Sequence, residues 1–198
     1  MAEQIAPLRR YVRRMTELVS DTTEEGVLLG RGRELLAELV RDDGWLPAEY
    51  GVARPDRYAQ YLLHCDPLER FSMVSFVWGP GQRTPVHNHT VWGLVGVLRG
   101  AERSEEYELR DGMPTDVGKS HLMTRGEVDA VSPTIGDWHR VTNASEDVSI
   151  SIHVYGGNVG GLHRSKVDAG TGRLVDFVSG YDNSTVPNLW GGPASTPC

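Results

Sequence analysis

Three histidines carry the clearest chemical potential in this chain: His87 and His89 in "TPVHNHTVW", and His139 in "GDWHRVTN". His87 and His89 are two residues apart, so on an extended segment both rings leave the same face. Neutral imidazoles suit iron, zinc, nickel or copper, and ligand type alone does not choose among them. Three neutral ligands leave the full charge of a divalent ion uncompensated. Such a site favours an incoming anion, for example a thiolate or a reduced oxygen species. A zinc ion with an open position in the same setting would do hydrolysis or hydration. The plainer alternative is a pair of ordinary surface or core histidines on one strand.

A second chemical stretch is "DVSISIHVYGG", residues 147–157. By parity Val148, Ile150, Ile152 and Val154 share one face, and Ser149, Ser151, His153 and Tyr155 share the other. Four β-branched residues at period two predict a strand. A strand face turned to water usually carries charges, and this one has none. Ser151, His153 and Tyr155 would stand at successive levels roughly 6.5–7 Å apart. They can hydrogen-bond in series, serine to one ring nitrogen and phenol to the other. That chain fixes the imidazole tautomer and aims the Tyr155 hydroxyl at whatever the metal binds. A satisfied polar ladder without chemistry is the competing reading.

These residues need elements to position them. Ile5, Leu8, Val12, Met15 and Val19 recur at helical steps, as do Val27, Leu28, Leu35, Leu36 and Leu39, which predicts helices over 4–20 and 24–42. "SDTTEEG" between them offers Ser, Asp and Thr as caps, while Gly30 and Gly32 weaken the second helix. From about Arg57 onward the pattern becomes short β-rich runs between Gly, Pro and Asp. Strands are expected near 57–64, 71–78, 91–98, 103–109, 119–124, 128–132, 139–143 and 148–155, and more weakly near 173–178. Many short strands with closely spaced turns predict a mainly β sandwich or small barrel, here with an N-terminal helical cap. One domain over 1–198 is expected, with a helical part over 1–50, a β-barrel over 57–180 and a tail over 181–198 that ends in a loose Gly/Pro/Ser stretch.

The formal net charge of −7 argues against nucleic acid or an anionic membrane as partner. No apolar run approaches membrane-spanning length, and the N-terminus lacks the apolar core of a secretion signal. Two cysteines, Cys65 and Cys198, are too few for a disulfide scaffold and suit a reducing cytoplasm. No obligatory protein partner is implied.

Gly81-x5-His87-x-His89 followed by Gly100 resembles the first motif of the cupin superfamily, and Gly136-x2-His139-x3-Asn143 resembles the second. The resemblance implies a double-stranded β-helix, a jelly-roll barrel with a metal on inward-facing residues. Cupins usually carry a glutamate ligand four residues after the second histidine, where this chain has Gly93. A three-histidine cupin with a Ser-x-His-x-Tyr strand is similar to the thiol dioxygenases, the family of cysteine dioxygenase and 3-mercaptopropionate dioxygenase. The similarity includes "YAQYLLHCDPLERFSMVSFVWGPGQRTPVHNHTVWGLVGVLRGAE", "SISIHVYGG" and "GYDNSTVPNLW".

What that family implies is one Fe(II) per subunit on His87, His89 and His139, with Ser151, His153 and Tyr155 as an outer triad. The substrates would be O2 and a small thiol carboxylate, the product a sulfinic acid. Cysteine-specific members present an arginine where Gln60 stands here, and the glutamine type resembles enzymes preferring 3-mercaptopropionate. The cysteine that crosslinks to the tyrosine in animal members falls at Gly93, so Tyr155 is expected to be uncrosslinked. A substrate carboxylate in a dry cavity needs a partner. Arg164 is the candidate, with Tyr155 second, although Arg164 could also be a surface loop charge. Another metal-dependent cupin enzyme and a non-catalytic cupin ligand sensor are the rival functions. His64, His121 and His163 are expected to be structural, and Trp78, Trp92 and Trp138 to fill the barrel. The run 102–108, "ERSEEYE", is expected to be a solvated outer strand, and Cys65 an inert packed thiol.

Overall fold

The computed structural model describes residues 3–190. Two helices come first, α1 (Ala6–Asp21) and α2 (Glu25–Leu39), then a 3-10 turn at Ala48–Gly51. Ten strands follow: β1 (Ala59–Cys65), β2 (Ser72–Trp78), β3 (Gly93–Arg99), β4 (Ala101–Arg110), β5 (Met113–Thr124), β6 (Val128–Val131), β7 (Trp138–Asn143), β8 (Ser149–Tyr155), β9 (Arg164–Val167) and β10 (Leu174–Phe177). They form a five-stranded sheet in the order β1-β2-β8-β3-β6, a three-stranded sheet β5-β4-β7 and a hairpin β10-β9. The strand pairs are antiparallel. Between β2 and β3 the chain crosses to the smaller sheets, where His87 makes isolated bridges to His139 and Lys166. The mainly β architecture with an N-terminal helical part is the one the sequence predicts, and it accords with the double-stranded β-helix that the resemblance implies.

The large sheet is buried on both faces. Outward, Leu94, Leu98, Ile150, Ile152 and Val154 join one apolar cluster with Leu8, Met15, Leu36 and Val40 of the helical part. α2 runs unbroken through Gly32, whose missing side chain lets the helix approach β3: a Cβ there would stand 2.8 Å from Leu94 Cδ1. Gly96 of β3 is its counterpart, where a Cβ would meet Leu36 and Val40 at 3.0 Å. Inward, Val74, Phe76, Trp78, Val141 and Tyr155 pack together.

Some local expectations fail. Glu24 is the N-cap residue of α2 and makes no side-chain cap; the Thr22 hydroxyl accepts the Glu24 N–H at 3.0 Å instead. β5 begins at Met113 rather than near 119, and β9 was not foreseen, since "RSKV" is short and lacks an alternating apolar pattern. The beginning of the tail is tied down: Asp182 N–H donates to Gln60 O at 2.8 Å and Leu62 N–H to Asn183 Oδ1 at 2.7 Å. The Gly/Pro/Ser stretch expected to be loose, and Cys198 with it, lie outside the described residues. Among the described residues no helix is long and apolar enough to cross a membrane.

Candidate metal centre

Strand parity and the bridge between the two histidine segments set the site. The His87 N–H donates to His139 O, and the His139 N–H to His87 O, both at 3.1 Å. One backbone register therefore places both imidazoles on the barrel interior, and His89 follows two residues on. The ligand atoms of His87, His89 and His139 all lie within 4.8 Å of one another. The ring centroids are 4.9, 4.9 and 4.7 Å apart.

Each Nδ1 is already engaged. That of His87 faces Pro85 O at 3.1 Å, that of His89 faces Asp137 Oδ1 at 3.1 Å, and that of His139 faces Ser104 Oγ at 3.4 Å. Carbonyl and carboxylate partners accept, so His87 and His89 carry their proton on Nδ1 and leave Nε2 as a free base. His89 Nε2 is buried without a hydrogen-bond partner, a state that costs free energy unless something fills the coordination position. Burial first, then the neighbouring imidazoles, hold His87 and His139 well below the ordinary histidine range. The three rings thus fit a transition-metal ion as neutral nitrogen donors.

No carboxylate can join them from the position where cupins usually supply one. A Cβ on Gly93 would stand 2.8 Å from Tyr155 Cδ1 and 3.0 Å from Val131 Cγ2. The Tyr155 ring occupies that space and stacks on His89 with centroids 5.5 Å apart. Asp137 lies behind the ligand set instead. Burial pushes its carboxyl up, but hydrogen bonds from His89 and Thr90 outweigh this and hold it below the usual aspartate value. Asp137 was missed in the sequence. It is two residues before His139, yet its partner His89 is remote in sequence.

The polar face of β8 looks at this site. Ser151 Oγ is 2.8 Å from His153 Nε2, and His153 Nδ1 is 2.7 Å from the Tyr155 hydroxyl. Phe76 stacks on His153 at 4.0 Å. Burial keeps His153 well below its ordinary value and pushes the Tyr155 hydroxyl up, so the first stays neutral and the second stays protonated. Trp78 does more than fill the barrel: its Nε1–H donates to Ser151 Oγ at 3.1 Å. Trp92 does not fill the barrel as expected; it is partly buried and packs against the apolar cluster that includes the helical part.

Beside His87 opens a cavity of about 290 Å³ whose lining includes Tyr58, Gln60, Phe76, Arg164 and Lys166. None of its lining residues is acidic. Arg164 is not a loop charge. It begins β9 and is only 5% exposed, with Nη2 donating to Ser179 Oγ at 2.9 Å and Nε left without a partner. Its guanidinium lies 4.7 Å from the Phe177 ring. A buried cation with an unpartnered donor and no acid lining its cavity has the chemistry to hold an anion.

The remaining expectations divide. His64 packs on Phe71, His121 pairs with Asp129 at 2.9 Å, and His163 is exposed; none of them belongs to the group of three rings that could hold a metal. Cys65 is partly buried, and burial raises its thiol. The run 102–108 is not wholly solvated. Parity turns Glu102 and Ser104 inward, to 1% and 5% exposure.

No protein-family model matches the chain. Among solved structures it is similar to an uncharacterized conserved protein with a double-stranded β-helix domain from Klebsiella pneumoniae, at 19% identity over 57% of this chain and 89% of that one, TM-score 0.44. An RmlC-like cupin protein from Desulfovibrio desulfuricans matches at 25% identity over 52% and 89% of the two chains, TM-score 0.40. An oxalate oxidase in complex with glycolate matches at 18% identity over 52% and 53%, TM-score 0.42.

Proposed function

We propose that this protein is a mononuclear iron thiol dioxygenase that converts a small thiol carboxylate to its sulfinic acid, RSH + O2 → RSO2H. The observation that carries the reading is the Tyr155 ring lying over Gly93. It removes the carboxylate ligand and sets a phenol beside three neutral imidazoles. When bound, ferrous iron supplies the electron transfer that lets dioxygen react with a thiolate. His87, His89 and His139 are the residues that would hold it.

The protein's own groups bind and orient. Arg164, with unused donors in the cavity beside His87, holds the substrate carboxylate, and Gln60 lines the same space. Gln60 stands where cysteine-specific members of the resembled family present arginine, which favours 3-mercaptopropionate, with cysteine second. Fixing carboxylate and sulfur at once holds the thiol in one reactive orientation. The Tyr155 hydroxyl, kept protonated by burial and positioned by His153 at 2.7 Å, serves as hydrogen-bond donor to the reacting group. Phe76 and Trp78, stacked 5.6 Å apart, keep water from that end of the site.

The test is metal analysis of the purified protein, followed by oxygen uptake with 3-mercaptopropionate, cysteine and cysteamine in parallel. Iron with uptake on 3-mercaptopropionate, and a sulfinate product in equal amount, supports the reading. A bound metal with no uptake on any thiol would sink the reading and favour a non-catalytic metal-binding ligand sensor.

A further inference from the structure

The cavity beside His87 holds more positive charge than a thiol with one carboxylate can neutralise. Arg57, Arg164 and Lys166 all line it, and no acid does. Arg57 is already neutralised, its Nη1 donating to Asp182 Oδ2 at 3.1 Å. Arg164 and Lys166 are not: among the described residues no carboxylate lies within ion-pair distance of either. The acids that feel their charge are engaged elsewhere. Asp137, sensed by Arg164, accepts the backbone N–H groups of His89 and Thr90. Asp168, sensed by Lys166, accepts the Thr171 N–H at 2.8 Å.

Strand register turns both cations toward the candidate metal ligands. His87 and Lys166 form an antiparallel bridge, and residues paired in this way carry their side chains on one face. Arg164 stands two residues before Lys166 on β9 and shares that face, so the two side chains rise from positions roughly 6.5–7 Å apart. Phe177 of β10 lies against both. Its ring centre is 4.7 Å from the Arg164 guanidinium carbon and 5.2 Å from Lys166 Nζ. Asp176 alternates to the opposite face of β10 and cannot serve as counter-charge there. Two like charges held over one ring repel, and a ligand with two negative groups removes that repulsion.

We propose that Lys166 is a second carboxylate partner, and that the cavity takes a thiol bearing two carboxylates on adjacent carbons, one on Arg164 and one on Lys166. A thiol monocarboxylate such as 3-mercaptopropionate leaves one of the two cations bare. That the cavity holds two carboxylates follows from its own residues; that the ligand is also a thiol rests on the dioxygenase reading.

The first measurement uses the metal-free full chain and two acids without sulfur, succinate and propionate, by titration calorimetry at neutral pH. The wild type is expected to bind succinate about 10-fold or more tighter than propionate, the effect of one added charge pair away from bulk water. Lys166→Met keeps the side-chain length without the charge, and Lys166→Gln is a second neutral variant; both are expected to lose that preference. No preference in the wild type, a preference surviving in the neutral variants, or no succinate binding at millimolar concentration overturns the proposal. The second measurement is oxygen uptake by the iron-loaded protein with mercaptosuccinate and 3-mercaptopropionate. The KM for mercaptosuccinate is expected to be the lower, and Lys166→Met to raise it about 10-fold. Consumption of 3-mercaptopropionate with mercaptosuccinate refused, or taken at no lower KM, overturns the proposal and leaves the dioxygenase reading standing. Absence of uptake with every thiol sinks that reading and leaves the succinate result standing.

Discussion

The two faces of β8 are equally dry and built for opposite purposes. Ile150, Ile152 and Val154 are all 0% exposed against the helical part, and Ser149, Ser151, His153 and Tyr155 are 0–3% exposed against the barrel interior. On the outer face each buried group gains by removal from water alone. On the inner face each polar atom must find a partner, and nearly every one does. Burial therefore does not separate core from site in this protein. What separates them is whether removing a side chain costs packing or breaks a chain of hydrogen bonds.

The largest expected effect lies just beyond the inner face, at the imidazole on which Tyr155 stacks. His89→Ala removes the imidazole whose Nε2 is buried and unpartnered, along with its bond to Asp137. Iron content, read by elemental analysis, is expected to fall to roughly a tenth or less of the wild type, with activity lost in step. The apo fold should persist, read by far-UV circular dichroism; retained stoichiometric iron would break the assignment. Next comes the outer face. Ile152→Ala is expected to cost about 2–5 kcal/mol by opening a cavity under the helices, read by denaturant melting. Its iron content and kcat per folded molecule should be unchanged. A variant that melts normally but loses activity would show the two faces are not separable.

The sequence showed the separation itself, because parity along 148–155 put branched hydrocarbon on one side and uncharged polar groups on the other. The three ligands were legible for a similar reason, since spacing within each motif fixes face and turn. Gln60 and Arg164 were named, but the strand that buries Arg164 was not foreseen. What stayed hidden depends on contacts between remote segments. The pairing of Asp137 with His89 and of Trp78 with Ser151 is set by how strands meet in the barrel. Glu102 was misread because "ERSEEYE" has the composition of a wet strand. Inward parity and a carboxyl held neutral by burial do not show in composition. The full length of β5 was lost because a two-stranded excursion needs little apolar patterning.

The smallest change on the inner face is also the sharpest. Tyr155→Phe keeps the ring that stacks on His89 and covers Gly93, so the ligand set and its missing carboxylate are untouched. Iron content is expected to match the wild type. Loss of the hydroxyl leaves His153 Nδ1 without its partner at 2.7 Å, a cost of about 1–3 kcal/mol in stability. If the phenol proton serves the reaction, kcat falls by roughly 10- to 100-fold. A purely structural hydroxyl gives the stability loss alone, with turnover of the folded iron-loaded protein unchanged. Measuring kcat, iron and melting on one preparation therefore decides whether the polar face of β8 is a proton path or only a second, hydrogen-bonded core.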